Sequence, residues 1–476
     1  MNHNKKTKIV ATLGPSVNSK NLLRDILEAG VNVLRINFSH ADHEDVKTTI
    51  KTIRELNNEF NYNAAILADL QGPKIRIGEV KGEYKVKKGD LILFKTGDKF
   101  ISTNNEFYMS YSNFANDVTA GETVLIDDGK LIFEIISTNQ KDSVQAKAML
   151  GGVIRSNKGV NLPNTIISLP ALTDKDKADA IFAISQQVDW IALSFVRNSQ
   201  DLIELNTLIN THSDVKIPVI AKIEKPEAVQ AIDEIIQNCD GLMVARGDLG
   251  IEVPCEQVPL IQKKLVLKAK KNRIPIIIAT QMMESMMNSL TPSRAEVNDV
   301  ANSIIDGADA VMLSGETSVG NFPVEVIQQI SKIIESVEYS SLISVPENPP
   351  QIKTERYITK SICYHASHMA DEINAKAIMT LTNSGYTAFQ ISAWRPHSNI
   401  LVFTSNRRIL NRLSLLWGVK AFYYDKFSST DSTIQEISDI ASSKGYISKG
   451  DFTISLAAMP IKEKGMVNTL RVNQVS

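Results

Sequence analysis

Short apolar runs rich in β-branched residues recur along the first two thirds of the chain, at 8–13, 31–39, 64–70, 190–195, 217–224, 241–249, 274–282 and 310–316, with patterns of helical period between them. They predict eight strands, each followed by a helix, except that the third opens into a long excursion. Start and stop signals support the helices. Asn18 and Ser19 begin one that Gly30 ends, Thr173 with Asp176 caps another, and Thr291-Pro292 opens one that closes near Gly307. Strands this apolar are buried on both faces, which favours a closed parallel β/α barrel over its rival, an open doubly wound sheet. Polar side chains cluster at the C-terminal ends of nearly every run, as the single active-site rim of a barrel requires.

The excursion, 73–170, alternates strand-like pieces with turn signals at Lys88-Gly-Asp90 and Asp127-Asp-Gly-Lys130 and predicts a small inserted β-barrel domain. Its basic run, Lys81, Lys85, Lys87 and Lys88, reads as a solvated strand face. After a proline-containing segment at 344–350, helical and strand patterns resume at 355–373, 375–381, 400–404 and 408–417, predicting a C-terminal α/β domain. The expected organisation is a barrel over 1–72 and 171–343, an inserted lid over 73–170 and an effector-type domain over 344–476.

A chain of 476 residues that is 43% hydrophobic and 22% charged has the composition of an ordinary globular protein of several domains. Its 52 basic and 53 acidic side chains leave a net charge of −1, so bulk charge gives no reason to expect nucleic-acid or anionic-membrane binding, and any anion site must be local. Cys239, Cys255 and Cys363 stand far apart, which argues against a disulfide framework or structural zinc and reads as buried free thiols. The polar N-terminus runs directly into a strand, and no stretch is long enough to span a bilayer, so a cytoplasmic location is expected.

Side chains two apart on a strand share a face, which groups Lys222 with Glu224, Arg246 with Asp248, and Arg35 with Asn37 and Ser39. If the strands are barrel neighbours, two acids, a lysine and arginines meet at one rim; any single pair could equally be a structural ion pair. Glu224 and Asp248 are hard oxygen ligands without a His or Cys partner, so Mg²⁺ or Mn²⁺ is favoured over zinc. Lys222, Arg35 and Arg76 would then face the anionic part of a substrate, and fixed cations aimed at a phosphoryl group in transfer are the main catalytic device available. Gly247 either lets backbone approach a ligand or serves a turn, and His40 either reaches a nucleotide or is solvated. Met282, Met283, Met286 and Met287 read as core filling, and His365 and His368 as structural. No Walker, protein-kinase glycine-loop or nucleophile-elbow motif is present.

Six segments carry a resemblance: Lys8-Ile-Val-Ala-Thr-Leu-Gly-Pro-Ser16, Arg35-Ile-Asn-Phe-Ser-His40, Lys222-Ile-Glu224, Met243-Val-Ala-Arg-Gly-Asp-Leu-Gly250, Ala279-Thr-Gln-Met-Met-Glu-Ser-Met286 and Met312-Leu-Ser-Gly-Glu-Thr317. Together they resemble the pyruvate kinase family across the whole barrel. The resemblance implies transfer of the phosphoryl group of phosphoenolpyruvate to ADP, the last step of glycolysis, by a homotetramer that uses Mg²⁺. It implies that Lys222 steadies the phosphoryl group and that Glu224 and Asp248 hold the metal. Backbone at Gly247 and Asp248 with the Thr280 hydroxyl would hold the substrate carboxylate, Thr280 also lying in the proton relay. Arg35 and Arg76 would contact transferring and nucleotide phosphates, with Asn37, His40 and Lys158 beside them, and Ser194, Ser314 and Glu316 would support the rim.

Many members of that family have Asp-Thr-Lys-Gly-Pro-Glu around a monovalent-ion site, a region the resemblance places here at Asn37, Ser39, Asp69 and Leu70, whereas this chain has Asp69-Leu-Gln-Gly-Pro-Lys74. Lys74 resembles the K⁺-independent group. Its ammonium can replace a bound K⁺ as a fixed charge, or simply point to water. The resemblance also implies an effector site, and Thr382, Ser384, Gly385 and Thr387, between a strand and a helix, suit a phosphate. The tail over 458–469 departs from the glycine-rich closing loop expected there. The rival enzyme reading is a barrel lyase acting on phosphoenolpyruvate or pyruvate, since acids on adjacent strands also suit enolate chemistry. It needs no ADP, whereas the inserted domain and Lys158 point to a nucleotide lid. A barrel kept as a binding scaffold would have lost Lys222, Glu224 or Asp248, and all three are present.

Overall fold

The computed structural model describes residues 5–39, 41–340, 342–343, 356–426, 429–459 and 465–476. His40, the 344–350 segment and part of the 458–469 tail lie outside the described residues.

All eight predicted strands form, as β1 (Lys8–Thr12), β2 (Val33–Asn37), β3 (Ala65–Asp69), β4 (Trp190–Leu193), β5 (Val219–Ile223), β6 (Gly241–Ala245), β7 (Ile276–Ala279) and β8 (Ala310–Leu313), and they close into one parallel barrel. The strands read as continuous apolar runs because both faces are covered. Ile9 and Ala11 of β1 pack outward in the core shared with the helices, while Val10 points inward with Val33, Leu67, Ile220 and Met243. Leu415 joins this inner cluster, and Phe389 packs against it with its ring 6.5 Å from that of Trp190, so the C-terminal domain stoppers the lower mouth. The upper mouth is where the strands end in polar residues.

The helix signals hold with one displacement. Ser19 caps Lys20–Ala29, which Gly30 ends at φ 119°, and Thr173 with Asp176 forms a capping box. The third helix is Arg294–Ile305, two residues later than the Thr291-Pro292 signal, because Ser293 and Glu296 supply a better capping box. Met282, Met283 and Met286 are core, as expected. Of the cysteines only Cys363 is buried; Cys239 is half-buried and Cys255 exposed, all free, which corrects the expectation of three buried thiols.

The insertion consists of a six-stranded sheet and a two-stranded one around their own aromatic core, and the lysines at 81, 85, 87 and 88 are exposed. Gly72 launches it with φ 72°, where a Cβ would come within 2.7 Å of the Phe195 ring. The C-terminal sheet comprises β9 (Ala377–Leu381), β10 (Asn399–Thr404), β11 (Val419–Tyr423), β12 (Phe452–Ala457) and β13 (Thr469–Gln474), in the order β11-β10-β9-β12-β13. All pairs are parallel except the last.

Buried charges tie this domain to the underside of the barrel. Asp309 is paired with Lys270 and with Arg395 at 2.9 Å, and Lys8 donates to the Val419 carbonyl at 2.8 Å. Burial, with Lys5 and Lys420 nearby, pulls the Lys8 ammonium down to about 7. A lysine depressed in the folded state binds fewer protons there than when unfolded between pH 7 and its ordinary value near 10. Stability from this group therefore rises with pH across that window, by at most about 1.4 kcal/mol per unit. Lys8→Met should make the pH dependence of the unfolding midpoint between pH 7 and 10 shallower, measured by denaturant titration; an unchanged slope would contradict it.

Candidate active site

Lys222 stands near the end of β5 and points into the barrel mouth, 10% exposed. Its Nζ donates to Ser194 Oγ at 2.6 Å and lies 3.2 Å from Asp69 and 3.0 Å from Glu224. Burial alone would lower the ammonium, but Asp69 and Glu224 outweigh it and raise it above the ordinary lysine value. Asp69 also accepts from Arg35 Nε at 2.6 Å, and Arg35 continues to Thr12 Oγ1 at 2.9 Å. Burial works against the Asp69 carboxylate, yet Lys222 and Arg35 hold its pKa below the usual range. Ser194 completes the cluster by donating to the Leu70 carbonyl at 2.7 Å.

Glu224 follows β5, and its Oε2 accepts from the Phe195 amide at 2.7 Å. Its Oε1 is buried, with Lys222 Nζ 3.0 Å away. Burial pushes this carboxyl up, Lys222 opposes, and nearby Asp248 pushes it further up. A buried carboxylate that feels a second acid beside it suits a cation placed between the two. No group of three or more His, Cys, Asp or Glu able to hold a metal occurs among the described residues. Two carboxylates suffice for Mg²⁺, which keeps waters and substrate oxygens in its octahedron. The donor set fits that metal.

Asp248 does not extend β6. The strand stops at Ala245, and Arg246–Glu252 is a short helix, so the shared face expected of Arg246 and Asp248 does not exist. Arg246 turns inward to Asp299 at 2.7 Å and the Thr280 carbonyl at 2.7 Å, which makes it a brace instead of a substrate cation. Gly247 N donates to Thr280 Oγ1 at 2.7 Å, bringing together two groups implied for one carboxylate. Thr280 has φ 69°, costly for a β-branched residue, and Gln281 and Phe195 are also left-handed. Glu316, also buried, ties the neighbouring loops by accepting from Met283 N at 3.1 Å and Ser314 N at 2.7 Å.

The remaining candidates lie further out. Arg76 and Lys158 sit on paired segments of the insertion, Ile77 N donating to the Lys158 carbonyl at 2.9 Å, and Lys158 Nζ pairs with Asp127 at 2.8 Å. Asn37 Oδ1 accepts from Ser39 N at 3.1 Å. Lys74 is exposed and lines a cleft of about 60 Å³ between insertion and barrel together with Asp248 and Lys225. Asp69 was expected only beside a monovalent ion, and its grip on both Lys222 and Arg35 was missed. So was the buried Lys225–Glu252 pair at 2.8 Å, whose acid also accepts from Asn161 of the insertion at 2.9 Å. In the C-terminal domain Thr382 Oγ1 accepts from Gly385 N at 3.0 Å and Ser384 is exposed, but Thr387 is buried.

Models of the pyruvate kinase barrel domain and the pyruvate kinase alpha/beta domain match residues 4–327 and 360–473. The chain belongs to the pyruvate kinase family. It is 43% identical to pyruvate kinase 2 of Synechocystis sp. over 99% of this chain and 79% of that protein. It is also 38% identical to the pyruvate kinase of Clostridium perfringens over 99% and 100%. Among solved structures, a pyruvate kinase from Cryptosporidium parvum superposes with a TM-score of 0.90 at 32% identity, covering 99% of this chain and 97% of that one. Pyruvate kinase activity, a phosphotransferase chemistry, comes with this membership. No described helix is long and apolar enough to cross a membrane.

Proposed function

We propose that the barrel mouth binds phosphoenolpyruvate against Lys222, Arg35, Gly247, Asp248, Thr280, Ser194 and Ser314. From there it passes the phosphoryl group to ADP, giving pyruvate and ATP. The observation that carries this reading is the buried Lys222 ammonium, kept charged by Asp69 and Glu224 and positioned by Ser194. The enol C–O–P bond breaks at phosphorus while a β-phosphate oxygen of ADP bonds to it. Charge then spreads over the phosphoryl oxygens, where Lys222 and Arg35 are already fixed and need no reorganisation. Glu224 and Asp248 would hold Mg²⁺, or Mn²⁺, which when bound neutralises substrate oxygens. The enolate left behind takes a proton at carbon, and Thr280, at the mouth beside Gly247, is the group we assign to that relay. Arg76, Asn37, His40 and Lys158 are assigned to the nucleotide, with 73–170 as the lid. Mixing the protein with phosphoenolpyruvate, ADP and Mg²⁺ should yield pyruvate and ATP in equal amounts; pyruvate without ATP would defeat the proposal.

The same reading makes turnover independent of K⁺ in a cytoplasmic homotetramer. Support for the first part comes from Lys74, whose side chain makes no ion pair among the described residues and which lines a cleft with Asp248. Wild type should turn over fully in K⁺-free buffer, and Lys74→Glu should lose about 10-fold or more there and recover on adding KCl. Activity of the wild type that appears only with KCl would overturn it. Thr382, Ser384 and Gly385 are assigned to a phosphorylated effector, supported by the left-handed turn at Gly385, φ 83°.

A further inference from the structure

Glu252 gathers three parts of the upper mouth onto one carboxylate. It ends the short helix Arg246–Glu252, one turn after Asp248, so the two acids share a face of that helix, and both line the cleft of about 60 Å³ between insertion and barrel. Its Oε1 lies 2.8 Å from the Nζ of Lys225, the residue after Glu224 at the end of β5, and accepts from Asn161 Nδ2 of the insertion at 2.9 Å. Lys225 and Glu252 are each 5% exposed. The reaction as proposed uses neither, and a buried ion pair is by itself a weak source of stability because both charges must leave water.

The pair spans the two segments that present the metal-holding acids. Lys225 follows Glu224 directly and Glu252 stands a turn beyond Asp248, so the contact between them sets how the two acids converge. On the insertion side, Asn161 belongs to the strand Val160–Asn161, held opposite Leu125 in the insertion sheet, and the same stretch of chain carries Lys158. A hold on Asn161 therefore also sets where Lys158 stands. Among the described residues the other side-chain hydrogen bond between insertion and barrel runs from Arg197 to the Ile167 carbonyl at 2.7 Å, next to the point where the insertion rejoins the barrel. That bond tethers the hinge, whereas the Asn161 bond is made in the wall of the cleft, beside Asp248.

We infer that Glu252 is a positioning residue that couples docking of the insertion to the metal site. With Asn161 docked, water is kept from the Glu252 carboxylate, its attraction to Lys225 is strong, and the segments bearing Glu224 and Asp248 are held together. With Asn161 withdrawn, water screens the pair and the helix bearing Asp248 is freer to drift. The inference rests on the proposed role of Glu224 and Asp248 as metal ligands. Linkage makes the coupling reciprocal: a docked insertion favours the metal, and the metal favours the docked insertion.

Mn²⁺ binding to the full chain without nucleotide, followed by electron paramagnetic resonance, tests it. Asn161→Ala removes the docking contact and no assigned ligand, and it should weaken Mn²⁺ by about 5-fold and raise the KM for ADP by a similar factor. In a Glu252→Gln background the same substitution should change neither, because the carboxylate through which it acts is gone. Asn161 is half-buried, so the result for Asn161→Ala alone stands even where Glu252→Gln fails to fold. Glu224→Gln separates this inference from the reading beneath it. Loss of Mn²⁺ affinity in Glu224→Gln with none in Asn161→Ala would leave the metal site in place and overturn the coupling. Unchanged affinity in Glu224→Gln would overturn the metal reading and the inference with it. An equal loss from Asn161→Ala in both backgrounds would show a route that bypasses Glu252 and would overturn the inference alone.

Discussion

Lys222→Met is expected to lower turnover by about 10³-fold or more while moving the KM for phosphoenolpyruvate by less than about 10-fold. The ammonium is surrounded by Ser194, Asp69 and Glu224 within 3.2 Å, so it is placed before substrate arrives. Asp69 and Glu224 raise its pKa above the ordinary lysine value, so the neutral-pH rate profile should carry no limb from this group. A methionine fills the same length without charge. On the proposed assignment, ground-state binding should survive on Arg35 and the backbone at Gly247, whereas the charge developing on the moving phosphoryl group should lose its counterpart. Two acids lose a partner in the variant. Asp69 keeps Arg35, while Glu224 keeps only the Phe195 amide, so some loss of stability is expected as well. Steady-state kinetics beside calorimetric binding of phosphoenolpyruvate separates the two effects. Intact binding with turnover within tenfold of wild type would remove Lys222 from the chemistry.

The barrel was legible in the sequence because burial on both faces forces unbroken apolar runs, and eight of them at regular spacing leave few other folds. Their ends were not. Each run was read one to four residues too long at its C-terminal end, since the chain stays partly apolar after it leaves the ladder, and at Ala245 it passes straight into a helix. That is why parity failed for Arg246: alternation holds only while residues stay in a strand. Lys222, Glu224 and Thr280 were singled out from motifs, yet the partners of Asp69 were invisible along the chain. An acid at a strand end acquires partners only when β2 and β3 pair, setting Asn37 opposite Asp69, and ring closure brings Lys222 across. Phe195, Thr280 and Gln281 gave no local signal of positive φ because none is a residue type that favours it; the surrounding contacts impose it.

Glu224→Gln is the second large effect expected, and its readout does not depend on turnover. The substitution keeps the shape of the side chain. The amide oxygen can still accept from Phe195 N, but the amide nitrogen then faces the Lys222 ammonium, donor against donor, where a carboxylate oxygen stood 3.0 Å from it. With one of two acids neutralised, a hard dication loses its anionic ligand and about half the protein charge that holds it. Mn²⁺ affinity, measured by electron paramagnetic resonance on the protein alone, should fall by about 100-fold, and turnover at saturating Mg²⁺ by about 10³-fold. The pH dependence carries a sign. Burial raises the Glu224 pKa, so wild-type Mn²⁺ binding should begin to weaken at a higher pH than an ordinary glutamate would allow as pH falls. In the glutamine variant that dependence should be shallower. Mn²⁺ affinity equal to wild type would place the metal away from Glu224, whose Oε1 would then serve Lys222 alone.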